Sequence, residues 1–138
     1  LHGNESPEQA AEVARSFRRV YKAFPAGSPL VRRAREYPSD VVLVDAAEPG
    51  KGEVFDWTLV EDVPGGLKVI LAGGLKPDNV AHAISVVDPW GVDVSSGVES
   101  SPGRKDPRKV RAFITNARSA APEPYRGPDQ LPYDWADE

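Results

Sequence analysis

The sequence has no cysteine. That excludes a disulfide framework, a thiolate nucleophile and any cysteine-based metal site. Histidine is nearly as scarce. His2 and His82 are the two present, far apart and without partners at metal-ligand spacing, so no metal is expected. No apolar run approaches the ~20 residues that a membrane-crossing helix needs, and no charged segment followed by an apolar one marks a secretory signal. Positive charge is not in excess either: 17 Lys and Arg against 21 Asp and Glu leave a net charge of -4. Basic residues are spread along the chain, which argues against a nucleic-acid footprint. Neither membrane nor nucleic acid is expected as a partner, and a cytoplasmic location is.

What is present is an alternation of helical and strand patterns in 138 residues, enough for one modest domain with a core. Ser6, Pro7 and Gln9 form a capping box with proline at the first helical position, which predicts a helix over 7–17 with Ala10, Val13, Ala14 and Phe17 on one face. Arg19 to Phe24 predicts a strand, and Pro29 to Tyr37 a short helix. Val41-Val42-Leu43-Val44 is a continuous, mostly β-branched apolar run ending at Asp45, as expected of a strand in a parallel sheet. After a loop over 46–54, Asp56 predicts the N-cap of a short helix to Val60. Strand Lys68 to Leu71 follows, then helix Pro77 to Val87, strand Val92 to Val94, and a last helix from Asp106-Pro107 to Arg118 with Val110, Phe113, Ile114 and Ala117 inward.

This order, with short connections, predicts an α/β fold of βαβ units with a parallel sheet. The chain opens on Leu1-His2-Gly3, which reads as the end of a strand, so it is expected to be the remainder of something longer. Residues 1–119 are assigned to the α/β unit. Residues 120–138 hold Pro122, Pro124, Pro128 and Pro132 and close on acidic residues, predicting a Pro-rich linker or arm whose Tyr125, Tyr133 and Trp135 could instead pack on a partner.

Catalytic groups of barrel enzymes sit at the carboxyl ends of their strands. Asp45 occupies that place and is a candidate general acid; the plainer reading is a helix cap or a solvated loop residue. Asp93, flanked by Val92 and Val94, is a charge inside a strand. It either meets substrate hydroxyls or pairs with Lys22 or Arg104. Gly73-Gly74 and Ser95-Ser96-Gly97 end two successive strands in small residues that leave backbone N–H groups accessible. Together they predict a phosphate cradle, hence an enzyme acting on a small phosphorylated substrate. His2 could reach that substrate from the preceding strand. His82 is expected on a helix surface, and Lys51 in a solvated loop.

The ordered set Leu1-His2-Gly3, Val42-Leu43-Val44-Asp45, Gly52-Glu53-Val54-Phe55-Asp56-Trp57, Leu71-Ala72-Gly73-Gly74-Leu75-Lys76-Pro77-Asp78-Asn79-Val80 and Val92-Asp93-Val94-Ser95-Ser96-Gly97-Val98-Glu99 resembles phosphoribosylanthranilate isomerases. The likeness runs from Leu1 to about Ala117. It implies a (β/α)8 TIM-barrel type of fold, this chain supplying about the last four to five βα units. It also implies an Amadori rearrangement of N-(5-phosphoribosyl)anthranilate in tryptophan biosynthesis, with no metal or organic cofactor. By this resemblance Asp45 is the general acid that protonates the ribose ring oxygen, and Asp93 contacts sugar hydroxyls. His2 lines the pocket, and Gly73, Gly74, Ser96 and Gly97 hold the phosphate. The family's general base is a cysteine on the first strand, which has no counterpart here. The expected partners are therefore a phosphorylated small molecule and either the missing N-terminal barrel strands or a fused neighbouring domain. The other reading is a non-catalytic phosphate-binding half-barrel or complementing subunit.

Overall fold

A computed structural model of the chain describes residues 1–39, 41–45 and 57–122. Its centre is a parallel sheet of β1 (Lys22–Pro25), β2 (Val41–Asp45), β3 (Lys68–Ala72) and β4 (Gly91–Val92), each strand lying beside the next in chain order. Leu1 adds a rung at the β1 edge. Its amino group donates to Tyr21 O at 2.8 Å, and its carbonyl accepts from Ala23 N at 2.8 Å, which is the parallel pattern opposite Lys22. The strand end foreseen at the start of the chain is thus laddered to β1. At the other edge Asp93 N donates to Leu71 O, carrying the β3–β4 ladder one residue beyond β4.

Side chains alternate across this sheet. Lys22, Phe24, Val42, Val44, Val69, Leu71 and Val92 share one face. Val42, Val44 and Leu71 are wholly buried there. Two clusters cover that face: Phe24 and Val42 with Ala10, Val31, Ala34 and Tyr37, and Val44 and Leu71 with Val60, Leu75, Val80, Ala83, Ile84, Val98 and Phe113. Leu43 and Ile70, on the opposite face, are partly buried and belong to neither cluster.

Helix α1 (Pro7–Ala14) starts on the foreseen capping box, Gln9 N donating to Ser6 Oγ and Ser6 N to Gln9 Oε1. It ends three residues before the predicted Phe17. Arg15 and Ser16 bond back to Glu12 and Val13, a tighter winding that carries Phe17 off the core and leaves it exposed. Pro29–Glu36 is a 3-10 helix, with Val31 and Ala34 buried three residues apart, the period of that helix. A second 3-10 helix spans Trp57–Asp62. The predicted Asp56 cap, the loop over 46–54 with Lys51, and the Pro-rich tail from 123 lie outside the described residues.

Helix α2 runs Val80–Val87 rather than from Pro77, and α3 Pro107–Ala120 begins on the foreseen Asp106 cap, which accepts from Arg108 N at 2.8 Å. Phe113 takes the core position of α3, and Ile114, a third of a turn further round, is exposed instead of inward. A small antiparallel hairpin, β5 (Glu99–Ser101) with β6 (Arg104–Lys105), stands where the sequence pattern predicts only a bend at Pro102-Gly103. No helix among the described residues is long and apolar enough to cross a membrane.

Candidate active site

The carboxyl ends of the strands meet along one edge of the sheet. Register puts Pro25, Asp45, Ala72 and Asp93 in a single row, on the face opposite the helices. Asp45 ends β2, and its side chain is mostly shielded, with 22% exposed. His2 follows the Leu1 rung and faces the same way. Its Nε2 lies 3.6 Å from Asp45 Oδ2, an imidazole–carboxylate contact whose carboxylate is sheltered and whose ring is open to solvent. His2 and Asp45, treated separately in the sequence, are therefore one constellation.

Asp93 stands two strands from Asp45 in the same row, about 10 Å away by strand spacing. Its surroundings differ from the expectation of a charge inside a strand. β4 is only two residues long, so Asp93 lies past its end and is exposed, and no burial demands a counter-ion. Lys22 is not its partner. That lysine lies on the helix-facing side of β1 and pairs with Glu5 at 2.8 Å.

Beyond β3 the chain turns through Gly73 at φ +83° and Gly74 at φ +64°, two successive left-handed residues that favour glycine. Asn79 holds this turn: its Oδ1 accepts from Lys76 N at 2.7 Å and its Nδ2 donates to Gly74 O at 3.0 Å. The turn beyond β4 abuts it. A Cβ on Gly97 would sit 1.8 Å from Leu75 O, so only glycine permits the two turns to touch. Gly97 is thus packed at the junction, while Gly74 and Ser96 are exposed.

The second turn is braced from the hairpin. Lys105 Nζ donates to Ser95 O at 2.9 Å and to Glu99 Oε1 at 2.8 Å, and Gly103 N donates to Glu99 Oε2 at 3.1 Å. These donors, the Lys105 ammonium foremost, hold the Glu99 carboxyl below the usual carboxylate range. Asn79 and Lys105 were not singled out as site residues in the sequence. An asparagine just ahead of a helix, five residues after the paired glycines, was the available signal for the first. For the second no local pattern existed, because the contact spans the hairpin. His82 lies exposed on α2 as expected, edge-on to Trp57 at 5.2 Å. Among the described residues no three His, Cys, Asp or Glu side chains lie close enough to hold a metal ion.

A family model described as N-(5'phosphoribosyl)anthranilate (PRA) isomerase matches residues 1–116. The chain belongs to this family. A PRA isomerase of Desulforudis audaxviator is 51% identical over 128 residues, covering 87% of this chain and 60% of the relative. The crystal structure of the PRA isomerase from Thermus thermophilus superposes with a TM-score of 0.74 at 38% identity, over 86% of this chain and 59% of that one. Another PRA isomerase structure, in complex with reduced 1-(o-carboxyphenylamino)-1-deoxyribulose 5-phosphate, matches with a TM-score of 0.69 at 35% identity, covering 86% and 58%. The chain thus spans about three fifths of the length of the relatives it matches. Within the PRA isomerase match lie His2, Asp45, Gly73, Gly74, Asp93, Ser96 and Gly97.

Proposed function

We propose that this chain is the C-terminal part of a PRA isomerase of tryptophan biosynthesis, supplying the last four to five βα units of a (β/α)8 barrel and the acid half of its acid–base chemistry. The observation that carries this reading is Asp45: a sheltered carboxyl at the end of a buried strand, 3.6 Å from His2, in the same row as Asp93 and inside the family match. Parallel strands in chain order, with helices on one face and Leu43 and Ile70 only partly buried on the other, suit a segment of a barrel wall. We assign residues 1–119 to that wall and 120–138 to a linker or arm.

The chemistry assigns each group a place. The substrate's phosphate rests against the abutting turns at Gly73-Gly74 and Ser96-Gly97, which Asn79 and Lys105 brace. Asp45 gives a proton to the ribose ring oxygen as the C1–O bond breaks, leaving an open chain with a C1 iminium. Removal of the C2 proton yields an enolamine, which becomes the 1-amino-1-deoxyketose when C1 takes up a proton and the C2 hydroxyl gives one up. Asp93, exposed at the end of its row, faces the sugar hydroxyls. This chain has no cysteine, so the thiol base implied by the family likeness comes from the remaining strands, supplied as a partner polypeptide or a fused domain.

The test is Asp45→Asn in the completed barrel. Turnover falls by ~10²–10⁴-fold, as for loss of a positioned proton-transfer group, while product affinity stays within about twofold. Undiminished turnover would remove Asp45 from the acid role.

A further inference from the structure

Among the described residues Lys22 is the buried charged one, 3% exposed on a strand face otherwise lined by Phe24, Val42 and Val44. An ammonium there is costly unless its donors are used, and an apolar side chain of similar size would fill the space at less cost. Its donors go to one short segment. Nζ donates to Gly3 O at 2.7 Å and to Glu5 Oε2 at 2.8 Å, and the rings of Phe24 and Tyr37 flank it at 5.4 and 5.9 Å. Glu5 turns back on the same segment, accepting from Gly3 N at 3.1 and 3.2 Å, while Tyr37 Oη donates to Glu5 O at 3.1 Å. Both backbone groups of Gly3 are thereby tied, and a Cβ at that position would lie 2.9 Å from Glu5 Oε1. On the other side of His2, Leu1 is tied through its ladder bonds to Tyr21 and Ala23.

We propose that Lys22, acting through Glu5 and Gly3, is a positioning residue that fixes the backbone on the C-terminal side of His2 and so sets the imidazole against Asp45. The alternation of the sheet makes this possible. Lys22 works from the helix side, while His2 and Asp45 project to the other, so the device stays out of the site it orders. If Lys22 were merely structural, a folded variant without it would keep the ring against Asp45; if Lys22 positions the ring, that variant loses the contact. The inference rests on the reading of Asp45 as the acid of the isomerase, but its first readout needs no turnover.

The experiment is nuclear magnetic resonance of the whole 138-residue chain, reading the Overhauser contact between the His2 ring and the Asp45 β-protons. The contact is present in the wild type and lost in Lys22→Met, while resonances of Val80, Ala83 and Ile84 keep their positions. A contact retained in folded Lys22→Met, or missing from the wild type, would overturn the proposal. Should Lys22→Met not fold, Tyr37→Phe deletes one hydroxyl from the same network and weakens the contact at least twofold; unchanged intensity there overturns it equally. In the completed barrel, Lys22→Met lowers kcat at least tenfold with KM within twofold, and wild-type kcat would again contradict it. If the completed wild type shows no turnover, the isomerase reading fails, and the ring contact alone decides whether Lys22 places His2.

Discussion

Gly97 is set by a distance, and Gly73 and Gly74 by a dihedral angle. Alanine at 97 drives its Cβ into Leu75 O, so the two turns must separate. Gly97→Ala therefore costs about 1–3 kcal/mol, as overpacking does, and weakens inorganic phosphate binding, read by chemical denaturation and by calorimetric titration. Stability falling with phosphate affinity intact would leave Gly97 a packing residue only. Which residues were legible follows from how local their cause is. Asp45 stood out because a β-branched run stops on a carboxylate, and the paired glycines because small residues at a strand end leave backbone N–H groups accessible. Asp93 was expected inside a strand because its flanking valines suggest a longer one than the two residues β4 forms. The His2–Asp45 contact was invisible in the sequence, since it depends on the Leu1 rung bringing distant segments two strands apart.

At the scale of elements, the starts of α1 and α3 were legible, whereas α2 begins at Val80 instead of Pro77 and only its end at Val87 was foreseen. Ser6 and Asp106 announce α1 and α3 through side-chain caps that need only neighbouring residues. Asp106→Ala should cost about 1 kcal/mol, measured as a shift in denaturation midpoint; no shift would mean the cap is replaced by solvent. The end of α1 depends on tertiary demands, since it unwinds before Phe17, and the β5–β6 hairpin lacks the alternation that marks strands. The tie between α1's leading segment and β1 adds a pH dependence. The Lys22 ammonium holds the Glu5 carboxyl down at about 2, from an ordinary 4.5. A carboxyl depressed on folding contributes stability that is fully present above about 4.5 and is lost as pH falls towards 2. Glu8, Glu36 and Glu99 shift in the same direction, each beside its own hydroxyl or cation. Denaturation midpoints should accordingly fall between pH 4.5 and pH 2, and fall less in Glu5→Gln than in the wild type. Equal slopes would deny the ion pair a part in acid unfolding.

For the whole molecule, the alternation of elements was enough to foretell a parallel α/β sheet, because each βαβ connection leaves its mark on local pattern. What pattern could not foretell is how the sheet's second face is used. Val41, Leu43 and Ile70 lie on that face only partly buried, and the relatives' structures are covered over about three fifths of their length. If those strands complete a barrel, the face becomes its interior, and a polypeptide carrying the remaining βα units should bind this chain and raise its melting temperature. In the proposed function the acid and the phosphate site reside in this chain while the base resides elsewhere. The most direct test of that division follows the loss of phosphoribosylanthranilate fluorescence with this chain alone, and then with that complementing polypeptide. Turnover only in the mixture, lowered ~10²–10⁴-fold by Asp45→Asn, is the expected result. Turnover by this chain alone would place the base within it, and silence from a folded, associated mixture would mark a phosphate-binding half-barrel without catalysis; either would contradict the account.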